Sequence, residues 1–353
     1  MEELILFGGY TKRLGEGIYS LLLNPKKKIL NDLQLIAAEP SPTYLTIDQK
    51  NHLYTVGAVE DEGRGIAAFD ISGMEAIPLN HVVEKNKFSL CYVAVDEERN
   101  LVYGSNFHQG IVYVYQRNED GSLKLANSVQ LTGNGGPHEN QKGPHAHYSD
   151  LTPDGRLVVC DLGNDSVYTY NMKESGKLTE IALYKSAPGA GSRHLVFNPN
   201  KETAYLICEL NSTIEVLHYK KEDGTFSRLK TLSTIPEDFT GFNSAAAIRI
   251  SKDGNFLYAS NRGHNSIISL KISSNGQSLT FLEWTDTKGA FPRDFNFSKE
   301  EDFLIVANQN SDNVTLFTRN QKTGQLTLQQ ENIFLPESTC VCPITNTKLL
   351  LNH

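Results

Sequence analysis

A period of about fifty residues constrains this chain more than any other feature. A β-rich run ends seven times, at Gly9, Gly57, Asn106, Asp161, Glu209, Asn261 and Asn308, at intervals of 48, 49, 55, 48, 52 and 47 residues. Examples are LYTVG, LVYGSN, LVVCD, YLICE, LYASN and LIVAN. Each is followed by a polar turn and a second β-branched run, such as GIAAFDI from Gly65 or SIISLKI from Ser266. A turn dipeptide comes next: Ser72-Gly73, Asp120-Gly121, Ser175-Gly176, Asp223-Gly224, Asn275-Gly276 or Thr323-Gly324, with Asn24-Pro25 in the first repeat. These pairs supply the backbone angles of hairpin turns. A further strand, such as LKLANSV, completes the unit. Period-2 patterning dominates, and no convincing amphipathic helix exceeds about ten residues.

Most repeats also open with a strand before the first anchor, for example CYVAVD from Cys91 or RHLVFNP from Arg193. The first repeat has none, whereas STCVCPI, from Ser338, is a strand with no repeat after it. Complementary ends predict circular closure. The expected fold is therefore all-β: a seven-bladed β-propeller with four-stranded blades, residues 1–353 forming one domain. The C-terminal strand becomes the innermost strand of the N-terminal blade, which removes exposed sheet edges. A sandwich or a solenoid is the competing architecture, but a solenoid caps its ends instead of making them complementary.

Composition narrows the class. Lys and Arg number 33 against 41 Asp and Glu, a net charge of −8. That argues against a nucleic-acid or anionic-membrane partner. No apolar run approaches the ~18 residues of a membrane span. The acidic start, Met1-Glu2-Glu3-Leu4, lacks the basic segment of a signal peptide. Five cysteines form no disulfide framework. A reduced, cytoplasmic protein is expected, and nothing in the chain sets its oligomeric state.

In a propeller the innermost strand begins at the face where the antiparallel second strand ends. Residues at those two places share one mouth of the central channel. The first-strand position reads Thr43, Cys91, His147, Arg193, Ala246 and Arg293. The second-strand ends are the seven anchors, with Arg262 and Gln309 next in line. Pure packing would repeat similar residues, so the His and Arg substitutions mark function, with surface drift as the plainer alternative. Arg193, Arg262 and Arg293 converge in this reading, and guanidinium forks bind carboxylate or phosphate. A small anion is the expected ligand. Asp161, Asn261, Asn308 and Gln309 are candidate substrate contacts beside them.

The segment GGPHENQKGPHAH lengthens the longest interval and places His145 and His147 near the mouth. Either suits general acid–base work; the plainer reading is a hydrogen-bonded loop histidine. Glu209 could activate water or position a histidine, and beside Arg193 it would stay ionised. No zincin-type helix motif points to a metal site, and no phosphate loop, dinucleotide fingerprint or Gly-x-Ser-x-Gly elbow occurs. No cofactor is expected.

GPHAH (143–147), TPDGRLVVCDLGNDSVYTY (152–170), GSRHLVFNPN (191–200), AYLICEL (204–210), SAAAIRISKDGNFLYASNRGHNSI (244–267), and FPRDF with VANQNSDNV (291–314) resemble the seven-bladed lactonase family. That family includes propeller-type bacterial 6-phosphogluconolactonases and the fungal carboxy-cis,cis-muconate cyclase. The resemblance implies hydrolysis, or reversible closure, of a small anionic lactone, without a metal. Carried over by motif, the catalytic residues would be His147 (or His145), Arg193, Glu209 and Arg262. Residues 1–140 match only loosely. A cyclase-type isomerase and a non-enzymatic scaffold are the alternatives, although the single tryptophan, Trp284, does not fit a Trp-Asp repeat scaffold.

Overall fold

The computed structural model describes residues 2–73, 75–85 and 87–344. Those residues form 28 strands in seven four-stranded antiparallel sheets. Six sheets are sequential, starting at Leu45, Tyr92, Ala146, Ser192, Ser244 and Pro292. The remaining blade is composite: Ser338–Pro343 pairs with Glu3–Gly9, which continues into Gly17–Asn24 and Ile29–Ala38. Its register runs Ile5↔Pro343, Leu6↔Cys342, Phe7↔Val341. We number this blade 1 and the others 2 to 7 along the chain. The strand from Ser338 thus closes the ring, and no helix occurs among the described residues.

The apolar runs are continuous because the second and third strands of each blade are covered on both faces. Leu101–Asn106, Thr203–Cys208 and Phe303–Asn308 are buried throughout. Neighbouring blades share clusters: Tyr205, Ile207 and Val216 of blade 5 pack on Ala245, Leu257 and Ile268 of blade 6. Across the closure, Ile5 and Phe7 pack with Ile305, Leu316 and Val341. Outer strands meet water and read mostly polar, as in Thr225–Ser233.

A tyrosine in the second strand ties each of three blades to the next. Tyr54, Tyr205 and Tyr258 are fully buried and donate their hydroxyls to the carbonyls of Gly121, Gly276 and Gly324 at 3.0, 2.7 and 2.8 Å. Those glycines are the hairpin residues of the turn dipeptides. Gly324 has φ +77°, and a Cβ there would meet the Phe256 ring at 2.3 Å. Both conditions demand glycine.

The inner strands carry the feature that builds the site. Where five of them begin, in blades 1 and 4 to 7, the register with the second strand slips. Ala146 pairs with Asp161 but Tyr148 with Cys160, so His147 is the extra residue. The same slip isolates Arg193 between Ser192 and His194, and Arg293 between Pro292 and Asp294. In blade 1 it isolates Thr339, and in blade 6 it falls at Ala246 and Ala247. A bulge bends the strand and re-aims a side chain. Immediately below, Tyr44, Tyr92, Tyr148 and His194 fill the channel, with ring centroids 4.4 Å (Tyr44–Tyr92), 4.7 Å (Tyr92–Tyr148) and 5.5 Å (Tyr148–His194) apart.

Candidate active site

At the bulged mouth a cavity of about 590 Å³ opens. Its lining includes His147, Glu209, Arg262, Arg293 and Cys91 from the expected ring, and Tyr10, Lys12, Arg64, Lys87, Phe107 and His108 from blades 1 to 3 and the loops between them. Arg193 lies at its floor with Thr43, Cys91, His147, Arg293 and Thr339.

Glu209 organises the floor. Its Oε2 receives Arg193 Nε at 2.7 Å and Arg262 Nη2 at 2.8 Å. Burial pushes its pKa up, but Arg262 and Arg193 outweigh burial and hold the carboxyl down at about 2. Arg193 also donates to the Ala246 carbonyl at 2.7 Å. Burial, with Arg262 nearby, lowers its own pKa to about 10, so it remains a cation at neutral pH. Arg262 donates to the Ser244 carbonyl and hydroxyl at 3.1 and 2.6 Å and to the Ala245 carbonyl at 3.1 Å. Both arginines are therefore held in fixed poses.

Arg293 is less committed. It donates to Gln309 Oε1 at 3.3 Å and lies 5.6 Å above the Tyr10 ring. Asp294, a candidate partner for it by proximity in sequence, pairs instead with Arg249 at 2.9 Å.

His147 is buried, and its Nδ1 has no hydrogen-bond partner. Burial first, then Arg193, push its pKa well below the usual histidine value, with Arg293 and Arg262 adding to the effect. The imidazole is neutral at pH 7 and retains a lone pair. Cys91 donates its thiol towards the carbonyls of Ala146 and His147 at 3.5 and 3.7 Å. Burial raises that thiol to about 12, which leaves it unreactive.

Five expected residues, His145, Asp161, Asn261, Asn308 and Gln309, do not line this cavity. His145 donates from Nδ1 to the Phe107 carbonyl at 2.8 Å and stacks on the Phe107 ring at 4.3 Å. Asp161 is fully buried and accepts from the backbone of His145 and the side chain of Asn164, at 2.7 and 2.6 Å. Asn261 bonds Thr234, and Asn308 bonds Thr287 and Thr315. Polar anchors at a strand end read as ligands in sequence, but here they satisfy loop backbone groups that burial would otherwise orphan. Gln309 positions Arg293 from the side. His138 accepts from the backbone of Asn140 at 3.2 Å, within its own loop.

The residues missed by alignment are Tyr10, Lys12, Arg64, Lys87, Phe107 and His108. Phe107 and His108 directly follow the Asn106 anchor, so that signal was available. Lys12 and Lys87 sit in loops of unequal length, where the repeat has no register, and Arg64 lies at the start of the strand Gly63–Asp70, outside the positions that were aligned. Among the described residues no group of three or more His, Cys, Asp or Glu side chains is placed to hold a metal.

Residues 4–343 match the family model described as lactonase, 7-bladed beta-propeller. The chain belongs to the seven-bladed β-propeller lactonase family. Within reach of this lactonase fold is the 6-phosphogluconolactonase of Bacillus subtilis, 39% identical over 338 residues, covering 95% of this chain and 96% of that protein. A solved protein from Lactobacillus plantarum is 45% identical with a TM-score of 0.95, covering 98% of this chain and 100% of that one. The periplasmic gluconolactonase of Pseudomonas aeruginosa is 25% identical with a TM-score of 0.88, covering 98% and 99%. Among the described residues no helix is long and apolar enough to cross a membrane.

Proposed function

We propose that this protein hydrolyses a small anionic sugar lactone, with 6-phosphogluconolactone opening to 6-phosphogluconate as the reaction its site suits best. The observation that carries the reading is His147: a neutral imidazole that lines the cavity beside three arginines and an ionised glutamate. The name of the Bacillus subtilis relative supports the phosphorylated substrate.

The chemistry follows from these groups. Water attacks the lactone carbonyl carbon while His147 takes its proton. The carbonyl oxygen becomes an oxyanion, and Arg293, the least committed guanidinium, stabilises it. The carbon to ring-oxygen bond then breaks. The ring oxygen leaves as an alcohol after receiving the proton from His147, and the carboxylic acid that forms releases its remaining proton to water as a carboxylate. Glu209 is too acidic to serve as the base at a pKa of about 2. Its place is to hold Arg193 and Arg262 and to stabilise imidazolium as it forms. An anion on the arginines would cancel part of the charge that depresses His147, so substrate itself makes the base stronger.

Cations on both sides of the cavity also suit a dicarboxylate, which keeps the lactonizing isomerase as a second reading. Both are tested with wild-type protein on fresh 6-phosphogluconolactone, gluconolactone and carboxymuconate. The expected result is ring opening of the phosphorylated lactone above its spontaneous rate. Closure of carboxymuconate without lactone opening would replace this reading by the isomerase.

A further inference from the structure

The cavity is not uniformly charged. Its floor belongs to blades 4 to 7, where Glu209 already offsets Arg193 and Arg262. Its opposite side belongs to the early blades and carries Lys12, Arg64 and Lys87. None of these three has an ion-pair partner among the described residues. Arg64 donates to Ser89 Oγ at 3.2 Å. Lys12 sits 4.2 Å over the Tyr10 ring, the same ring that Arg293 approaches. Tyr10 thus links the outer cations to the floor. Among the described residues, Glu209 is the only acid lining the cavity. Arg64 and Lys87 also line an adjoining open groove with Glu60, Asp61 and Glu62, and form no ion pair with them.

Blade 5, which supplies Arg193 and Glu209, stands across the ring from blades 1 and 2. A ligand spanning the mouth would touch fixed groups at one end and unneutralised cations at the other. Three cations around one concave edge raise the local anion concentration. Long lysine stems can also gather donors around a dianion, as phosphate requires. The floor arginines have spent much of their donor capacity on Glu209 and on backbone carbonyls.

We propose that Lys12, Arg64 and Lys87 form an outer anion site that takes the phosphate of a phosphorylated lactone, while the lactone carbonyl lies against His147 and Arg293. This rests on the lactonase reading and adds the source of its substrate selectivity: the outer site, not the floor, separates phosphorylated from neutral sugar lactones.

The test is a triple variant, Lys12→Met with Arg64→Met and Lys87→Met, assayed against wild type on 6-phosphogluconolactone and gluconolactone. Circular dichroism melting confirms that the variant is folded. The ratio of kcat/KM for the phosphorylated over the neutral lactone is expected to fall tenfold or more, chiefly through KM. A smaller change in that ratio overturns the outer site while leaving the lactonase reading intact. If wild type opens neither lactone, the lactonase reading fails, and calorimetric titration with inorganic phosphate decides the outer site alone. At least tenfold weaker phosphate binding by the variant supports the site; equal binding refutes it.

Discussion

Glu209 shows how one residue can be structural and functional together. It is a buried carboxylate whose Oε2 bridges two buried guanidinium groups. Removing one member of such a cluster leaves uncompensated charge. Glu209→Gln is expected to cost about 3 kcal/mol of stability, read by chemical denaturation. Its folded pKa of about 2 lies below the ordinary 4.5. The stability it contributes is therefore complete above about pH 4.5 and is lost as pH falls towards 2. Wild type should lose stability more steeply than Glu209→Gln across that window. His147 gives a kinetic counterpart. A base whose pKa is lowered stays deprotonated to lower pH, so kcat/KM should hold through pH 6.5 and decline only in more acidic solution. Gluconolactone is the substrate for that profile, because a phosphate ester ionises near pH ~6 and would overlap.

At the scale of the strand, the inner-strand bulge turns a packing position into a channel position. Period-2 reading places His147, Arg193 and Arg293 at equivalent points, and repeat alignment needs nothing more to group them. It cannot show that each is an extra residue in the ladder, because a bulge has no sequence mark of its own. Asp161, Asn261 and Asn308 mislead for the converse reason: their recurrence is the sign of a repeated loop tie, and they occupy it fully buried. The interblade tyrosines are legible as LYTVG, YLIC and LYASN, but their partners lie in the next repeat. Tyr258→Phe keeps the ring and removes the bond to Gly324. It should cost about 1 to 2 kcal/mol, measured from the denaturation midpoint, because a buried carbonyl is left unpaired.

For the whole molecule, closure joins the two ends of the chain in one blade. Ending the chain at Leu335 removes Ser338–Pro343, exposes the Glu3–Gly9 edge and uncovers Ile5, Phe7 and Ile305, which share a cluster with Val341. Such a variant should aggregate on expression, as seen by size-exclusion chromatography. The periodicity of 47 to 55 residues carried the architecture because every blade obeys it. The outer cations escaped it because Lys12 and Lys87 belong to loops, where each repeat differs, and Arg64 stands at the edge of a strand, away from the recurring anchors. A net charge of −8 likewise says nothing of a mouth whose lining holds five Lys and Arg and one acid. The central claim is that this mouth opens a lactone with His147 as its base. The direct measurement is the initial rate of 6-phosphogluconolactone opening by wild type and His147→Gln, each corrected for spontaneous hydrolysis. The expected result is a wild-type rate above background and a kcat lower by about a hundredfold or more in the folded variant. A variant as active as wild type, or a wild type no faster than background, would contradict it.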